Sequence, residues 1–412
     1  MSRCPLLLLV ALPLLCTQVC HSQEARPIRI LATGEVDPSY CPISGFGFAE
    51  PSLDVTLAVA REMHGTTFGE KGLRRLIRLY IPRNLEEMLE FDFILLNQPV
   101  IVYFPTASLE QMRSAIADSG IGGLCFMQSM YSDIYSPWLK TELSDCFPYD
   151  HHANLRLGAP GGQLYDLEVV RDTELPPLLT PYVPLGIEGV RPFGEARPTF
   201  EREGATVWAY CRSSAFRTYY GLDRFPLFIS WRYGPGMALV WTTADQFDSP
   251  MWITSDGRER YALDIFTGMV WLSSGWELPA DPVRVHILRE RFALIRSRIG
   301  LIGSLIEFID EFGASTYEVG VDLGELQSTV AHAGRFYLAH EFEATEEAFN
   351  EAFEFASLIE SRSITLKERA LSWVYLIEWI SVTGTFLITG FLLWTLMIRR
   401  RAFREVGITR GS

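Results

Sequence analysis

The chain contains no signal for asparagine-linked glycosylation, since none of its asparagines begins an Asn-x-Ser/Thr triplet. Cysteine is also scarce, because seven occur in 412 residues and three of them lie within the first 20 positions. The other four, Cys41, Cys125, Cys146 and Cys211, allow one or two disulfides and three complete pairings. This number excludes a fold built on a disulfide framework, and the sequence leaves the pairing open.

An excess of positive charge is absent too. Lysine and arginine total 36 against 50 acidic residues, which gives a net charge of −14. Binding to a phosphate backbone needs a basic face, so we expect no nucleic-acid partner. With 48% hydrophobic and 13% aromatic residues, the chain is also far from the composition of disordered proteins. We therefore expect a folded, acidic protein.

Recognisable metal-ligand spacing is missing as well. Asp145 and Cys146 precede His151 and His152, but this group is local and lacks the spacing of a known metal site. A surface loop, or a disulfide between Cys146 and Cys211, explains it more simply. We expect neither a metal nor another cofactor.

One long hydrophobic run stands near the C-terminus. Twenty uncharged residues from Trp379 to Ile398 are followed directly by three arginines. A hydrocarbon core of ~30 Å needs about 20 apolar helical residues, so we predict a transmembrane helix within residues 374–398. The basic residues after it predict a cytoplasmic tail at 399–412. Glu378 then lies at the outer interface, or alternatively pairs with a partner subunit's charge inside the membrane.

The N-terminus agrees with that orientation. A basic start, an apolar run from Pro5 to Cys16 and small residues near Ser22 form the layout of a secretory signal peptide at residues 1–22. We therefore predict a single-pass type I protein of the cell membrane, with its N-terminal domain outside and the lipid bilayer as one partner.

Residues 27–281 alternate short apolar runs with helical patterns. We predict strands at 28–33, 76–81, 91–96 and 122–127, and helices that begin at Glu50, at Leu85 behind an Asn84 cap, and at Ser108. Two later runs, 227–231 and 237–242, flank a Gly-Pro-Gly turn and predict an antiparallel hairpin added to the sheet. The alternation predicts an α/β domain with a doubly wound, mostly parallel sheet.

Residues 282–370 carry heptad spacing in three segments, with breaks at Gly313 and near His340. We predict a helical stalk that folds back into a small bundle. Its first helix is basic and its third is acidic, so the two should pack together. Pairing with another chain is the alternative.

The predicted strand Phe91–Asn97, the helix Leu109–Ala117 and the segment Gly120–Ser129 together resemble the class I glutamine amidotransferase-like fold, a flavodoxin-like sheet. The hairpin through Tyr233–Gly236 resembles membrane and sugar-utilisation relatives of that fold. The C-terminal stretch Leu366–Arg401 resembles the end of uncharacterised archaeal membrane proteins with this type of ectodomain. Catalytic members of the family use a cysteine nucleophile on a strand-to-helix turn, in the pattern Gly-x-Cys-x-Gly.

Cys125 is the position that matches that nucleophile. Gly123 supplies the first half of the pattern, but Phe126 and Met127 replace the small second half. No His-x-Glu pair follows to serve as base and orienter, and a thiol without a base is a poor nucleophile. We therefore predict that Cys125 is a buried structural residue, and we assign no catalytic residue.

Polar residues after the predicted strands are the ligand-binding candidates, because open α/β sheets bind ligands at their strand ends. The candidates are Gln128, Ser129, Asn97 and Asp37, with Glu50 and Asp54 as further carboxylates that more often start helices or face solvent. We predict a non-catalytic domain that binds an unknown small ligand or a membrane or cell-surface protein. The alternatives are an exported amidase or hydrolase that uses Cys125, and a structural subunit of a membrane complex.

Overall fold

The computed structural model describes residues 26–36, 43–61, 68–97, 99–127, 140–150, 163–164, 166–172, 176–189, 193–196, 200–214, 217–218, 221–241, 243–244, 253–254, 257–258 and 260–408. The predicted signal peptide and the last four residues of the predicted tail lie outside these ranges.

A mixed eight-stranded sheet forms the centre of the N-terminal part. Its strands are β1 Ile28–Gly34, β2 Leu53–Val59, β3 Phe93–Asn97, β4 Gly123–Met127, β5 Asp166–Val169, β6 Thr206–Arg212, β7 Arg224–Tyr233 and β8 Gly236–Trp241. Their order is β2-β1-β3-β4-β8-β7-β6-β5. The first five of these strands pair in parallel, and the last three continue the sheet with antiparallel pairs. The predicted α/β class is confirmed.

The helices are α1 Ile43–Ala49, α2 Gly69–Tyr80, α3 Leu85–Met88, α4 Thr106–Ala117, α5 Ala262–Ser273, α6 Pro282–Glu311, α7 Tyr317–Leu338 and α8 Phe342–Ile408. Short 3₁₀ turns occur at Ile101–Tyr103, Glu142–Cys146, Thr180–Leu185 and Ile187–Gly189. Strands of two to four residues form three small sheets, from Tyr149–Asp150 with Phe200–Glu201, from Gln163–Leu164 with Phe193–Ala196 and Thr243–Ala244, and from Ile253–Thr254 with Gly257–Arg258.

Two of the predicted elements were wrong in type. The segment after Glu50 is the strand β2 rather than a helix, because Asp54 and Thr56 alternate with apolar neighbours and face solvent. Residues 76–81 belong largely to the helix α2, which buries Leu73 and Ile77 at a spacing of four. Both runs are short, and a short apolar run is compatible with the periodicity of a helix and with that of a strand.

The predicted hairpin is confirmed, but its second strand joins the parallel part of the sheet. Tyr233 pairs with Gly236 across a two-residue turn, and Gly234 has a φ of +63° that glycine adopts without strain. A Cβ at Gly234 would also lie 2.1 Å from the Ala117 carbonyl oxygen. The returning strand β8 lies beside β4 and runs parallel to it, so the hairpin completes the parallel half of the sheet.

Hydrophobic residues fill both faces of the sheet. One cluster includes Phe93, Phe266 and Trp271, and it continues without a break into α6, α7 and α8. The other cluster packs α2 and α4 against the opposite face, around Ile94 and Met112. The α/β part and the helices therefore share a core, while the predicted boundary at residue 281 stays a prediction.

The three predicted stalk helices are present as α6, α7 and the first part of α8. The breaks after Glu311 and Leu338 lie where the sequence predicts them. Basic α6 packs on acidic α8, since Arg284 lies 3.2 Å from Glu343 and 3.0 Å from Glu346. The bundle folds back on itself as predicted.

Helix α8 continues from the bundle into the hydrophobic run without interruption. It spans 67 residues, or about 100 Å at 1.5 Å per residue. The helix is long and apolar enough to cross a membrane, and none of its most apolar window is buried against other described residues. A membrane-spanning helix is thus possible on length and composition, as the sequence predicts.

Candidate functional site

The carboxyl ends of β1 and β3 meet at one edge of the sheet. Gly34 is in register with Asn97. It has a φ of +119°, and a Cβ at this position would lie 1.9 Å from the Asn97 carbonyl oxygen. Only glycine therefore fits here. The Asn97 Nδ2 donates to the Glu35 carbonyl oxygen at 2.6 Å, and the Glu35 amide donates to the Asn97 carbonyl at 2.8 Å. These bonds fix the chain just beyond the strands, where open α/β sheets bind ligands.

Polar side chains collect at this edge, and we refer to Thr33, Glu35, Arg61 and Asn97 as the carboxyl-edge cluster. The Glu35 carboxylate lies 3.5 Å from the Arg61 guanidinium, with the two side chains 7% and 13% exposed. Thr33 is fully buried, and its Oγ1 has no hydrogen-bond partner among the residues that the structure describes. A nearly buried ion pair at Glu35, whose backbone the Asn97 amide binds, suits recognition of a polar group.

Of the predicted ligand-binding residues, the structure places Asn97 in this cluster, where it is 2% exposed. Asp37, Gln128 and Ser129 lie outside the described residues. Asp54 is an exposed residue of β2 and belongs to no site.

Cys125 occupies the third position of the five-residue strand β4. Its backbone is in register with Leu95 on one side and Leu239 on the other. The residue thus lies within the strand, whereas a nucleophile elbow needs a sharp turn at the strand's end.

Of the two alternatives to a metal site at Cys146, the disulfide with Cys211 does not form, because both residues are buried free thiols. They belong to different hydrophobic clusters, which separates them. Burial raises the pKa of each thiol to about 12, so neither is a thiolate near neutral pH. Among the described residues, no group of three or more His, Cys, Asp or Glu side chains is arranged to hold a metal ion.

A buried charge cluster joins the α/β part to the bundle. This junction cluster consists of Glu50, Asp264, Arg289 and Tyr337. The Arg289 guanidinium, on α6, bonds the carboxylates of both Glu50 and Asp264. Tyr337, on α7, donates to Glu50 at 2.9 Å. Residues from the α1–β2 connection, α5, α6 and α7 thereby meet in one network.

Burial opposes the charge on Arg289, but Glu50, Tyr337 and Asp264 together raise its pKa well above the ordinary value. Burial, together with Glu50, also raises the pKa of Tyr337 well above its usual range. The arginine is therefore cationic and the phenol is a neutral donor. Such a network holds four elements in one relative position.

His286 extends the junction cluster toward the surface. Its Nδ1 lies 2.7 Å from Asp264, and its Nε2 lies 3.3 Å from Glu290. The hydrogen bond to Asp264 raises the pKa of the imidazole despite partial burial. Carboxylates lie near both ring nitrogens, so the protonated form of His286 forms an ion pair with Asp264.

The opposite edge of the sheet carries an open cleft of about 520 Å³. Asp92 lines it, but this carboxylate is already held by Arg26 at 2.8 Å and by the Arg29 amide at 2.9 Å. The exposed Arg232 and the α5 end at Ser273 complete the polar lining. Its charged groups lie at the surface, unlike those of the carboxyl-edge cluster.

Sequence reasoning named Glu50 as a candidate carboxylate but missed Glu35, Arg61 and the other members of the junction cluster. Glu35 lies two residues after the predicted strand 28–33, and this position predicts that it lies at the carboxyl edge of the sheet. Glu50 and Arg289 are 239 residues apart, so their pairing depends on the tertiary fold.

No protein-family model matches this chain, and no curated protein matches it. Among solved structures it is similar to a cytoplasmic protein from Salmonella typhimurium LT2, at 15% identity over 59% of this chain and 98% of that chain, with a TM-score of 0.40. It is also similar to a ThuA-like protein from Parabacteroides merdae, at 15% identity over 62% and 94%, with a TM-score of 0.37. A cold-adapted beta-galactosidase from Rahnella sp. R3 gives 12% identity over 59% of this chain and 31% of that chain, with a TM-score of 0.32. At these identities and TM-scores the similarities assign neither a family nor an activity.

Proposed function

We propose that this chain is a single-pass type I membrane protein whose external α/β domain binds a polar ligand or a protein partner without catalysing a reaction. The observation that carries this proposal is the continuity of α8. One helix packs in the bundle through residues such as Phe349 and Ala352 and then presents an apolar surface that no described residue covers. Water does not favour so large an exposed apolar surface, whereas a bilayer does.

The proposed orientation rests on charge. Arg399, Arg400 and Arg401 follow the apolar run directly, which favours a cytoplasmic C-terminus. The α/β domain then lies outside, where its acidic surface keeps it soluble.

The proposed binding site is the carboxyl-edge cluster. The order β2-β1-β3-β4-β8 follows the flavodoxin-like arrangement 2-1-3-4-5, whose ligands bind beyond the carboxyl ends of the strands. This order supports the proposal of a flavodoxin-like, class I glutamine amidotransferase-like fold, which the sequence resemblance also implies. Glu35 and Arg61 offer both signs of charge, which suits a ligand with donors and acceptors side by side.

The absence of catalysis is supported by the position of Cys125 inside β4, paired on both sides. The rival function, an exported amidase or hydrolase, requires a Cys125 thiolate. We test it with the full-length protein in detergent micelles and L-glutamine as the probe substrate. We expect no ammonia release. We also expect that iodoacetamide modifies Cys125 slowly, as measured by mass spectrometry. Ammonia release that disappears in Cys125→Ser would overturn the non-catalytic assignment.

Membrane insertion is tested separately by protease protection. In right-side-out vesicles, added protease should remove the α/β domain and leave a C-terminal epitope tag intact. Digestion of the tag together with protection of the domain would reverse the proposed orientation. A chain that alkaline carbonate extracts from the vesicles is not membrane-spanning.

A further inference from the structure

Helix α2 presents a row of basic side chains to solvent. Lys71, Arg75 and Arg78 are exposed and have no ion pair with a described residue. Arg74, between them, differs because it pairs with Glu70 at 2.9 Å. We call the first three residues the basic strip.

Helix α8 presents an acidic row on its outward face. Glu347, Glu351 and Glu354 are exposed and likewise have no ion pair within the described part of the chain. Their neighbours Glu346 and Glu360 differ, because they lie near arginines of α6. We call Glu347, Glu351 and Glu354 the acidic strip.

The two strips match in geometry as well as in charge. Each places its charges at positions i, i+4 and i+7 of a helix, so each spans about 10 Å along one face. Exposed apolar side chains adjoin both strips. Leu79 and Tyr80 are 63% and 48% exposed at the end of the basic strip, and Leu358 is 45% exposed four residues beyond Glu354.

We propose that the basic strip docks on the acidic strip of a second copy of this chain. A copy is favoured because the chain supplies both halves of the contact, with three unpaired cations opposite three unpaired anions. Elsewhere two chains of net charge −14 repel each other. In a two-fold pair, each copy contributes both strips and the contact forms twice.

This inference rests on the proposed membrane anchor. Exposed ion pairs contribute only ~0.2–1 kcal/mol each, so the strips alone give weak association in solution. Anchoring two copies in one membrane confines them and raises their effective concentration, and weak contacts then suffice.

Full-length protein in phosphatidylcholine vesicles tests the proposal. Copies carry donor or acceptor fluorophores at the C-terminus, and energy transfer is measured on vesicles recovered by flotation. One variant reverses the basic strip (K71E/R75E/R78E), and another reverses the acidic strip (E347K/E351K/E354K). A control (E110K/E318K/E325K) reverses three exposed glutamates elsewhere.

We expect energy transfer in the parent and the control, loss to the level of randomly mixed monomers in each reversed variant alone, and recovery when the two reversed variants are mixed. Transfer in the parent should also fall at 0.5 M salt, which needs no substitution and so is independent of misfolding. Unchanged transfer in either reversed variant, no recovery on mixing, or no salt dependence overturns the docking proposal. Protein that fails to float with the vesicles overturns the proposed anchor and the docking with it, whereas floating protein without energy transfer overturns the docking alone.

Discussion

Replacement of Arg289 by methionine tests the junction cluster most directly. Methionine keeps the volume and loses the cation, so Glu50 and Asp264 remain as carboxylates that are 0% and 3% exposed. Breaking a buried ion pair by removing one partner costs about 3–5 kcal/mol. For domains of 150–250 residues, 1 kcal/mol corresponds to about 2–4 °C in Tm, which predicts a fall of roughly 6–20 °C.

The measurement is thermal unfolding of the full-length chain in detergent, followed by tryptophan fluorescence. Arg291→Met is the matched control, because Arg291 lies on the same helix but is 3.8 Å from a partly exposed Glu346. That pair contributes at most ~1 kcal/mol. The triple variant with Glu50→Gln and Asp264→Asn removes the unpaired charges and should recover part of the loss. If the free energy of unfolding of Arg289→Met lies within about 1 kcal/mol of that of the parent, the junction cluster does not hold the α/β part and the bundle together.

Three further predictions concern other places in the fold. Gly34→Ala should destabilise the protein strongly, because a Cβ would lie 1.9 Å from a backbone oxygen of β3. Gly45→Ala is the control and should have little effect, because nothing lies within 4 Å of its Cβ position. Equal midpoints of urea unfolding for the two variants would contradict this prediction. Because folding raises the pKa of His286, the ion pair contributes its full stabilisation at pH values below the pKa of an unfolded histidine. This contribution is lost as the pH rises through the pKa of His286 in the folded protein. The difference in Tm between parent and His286→Gln should therefore shrink between pH 6 and pH 9, and a constant difference would refute the ion pair. Cys146 and Cys211, whose pKa values are raised to about 12 by burial, should react with iodoacetamide in urea and resist it in the native state at pH 8; peptide mass spectrometry would expose any native labelling.

Elements with a strong local signal could be predicted from the sequence. Asn84 caps α3 as predicted, since its side chain accepts from the Glu87 amide at 2.8 Å. The Gly-Pro turn fixed the hairpin, and heptad spacing located the bundle helices. Each of these signals lies within one continuous segment of the sequence.

The failures concern information that is not local. Residues 53–59 and 76–81 have apolar patterns compatible with both helix and strand, and packing decides between them. The sequence left the cysteine pairing open, and the alternative that joins Cys146 to Cys211 fails because the two lie in separate cores, which spacing does not reveal. Arg289 read only as one charge of a basic helix, whereas the fold gives it two buried carboxylate partners.

In the proposed membrane orientation, the unbroken course of α8 sets how far the α/β domain ranges above the bilayer. From Phe342 to Glu378 the helix rises about 55 Å above the start of the uncharged run. Transmembrane helices tilt by about 20° on average, and for a stiff rod of this length that tilt moves the far end sideways by about 19 Å while lowering it by only about 3 Å. With the proposed anchor, the far end of the helix therefore ranges over a disc about 19 Å in radius while its height above the bilayer stays nearly constant.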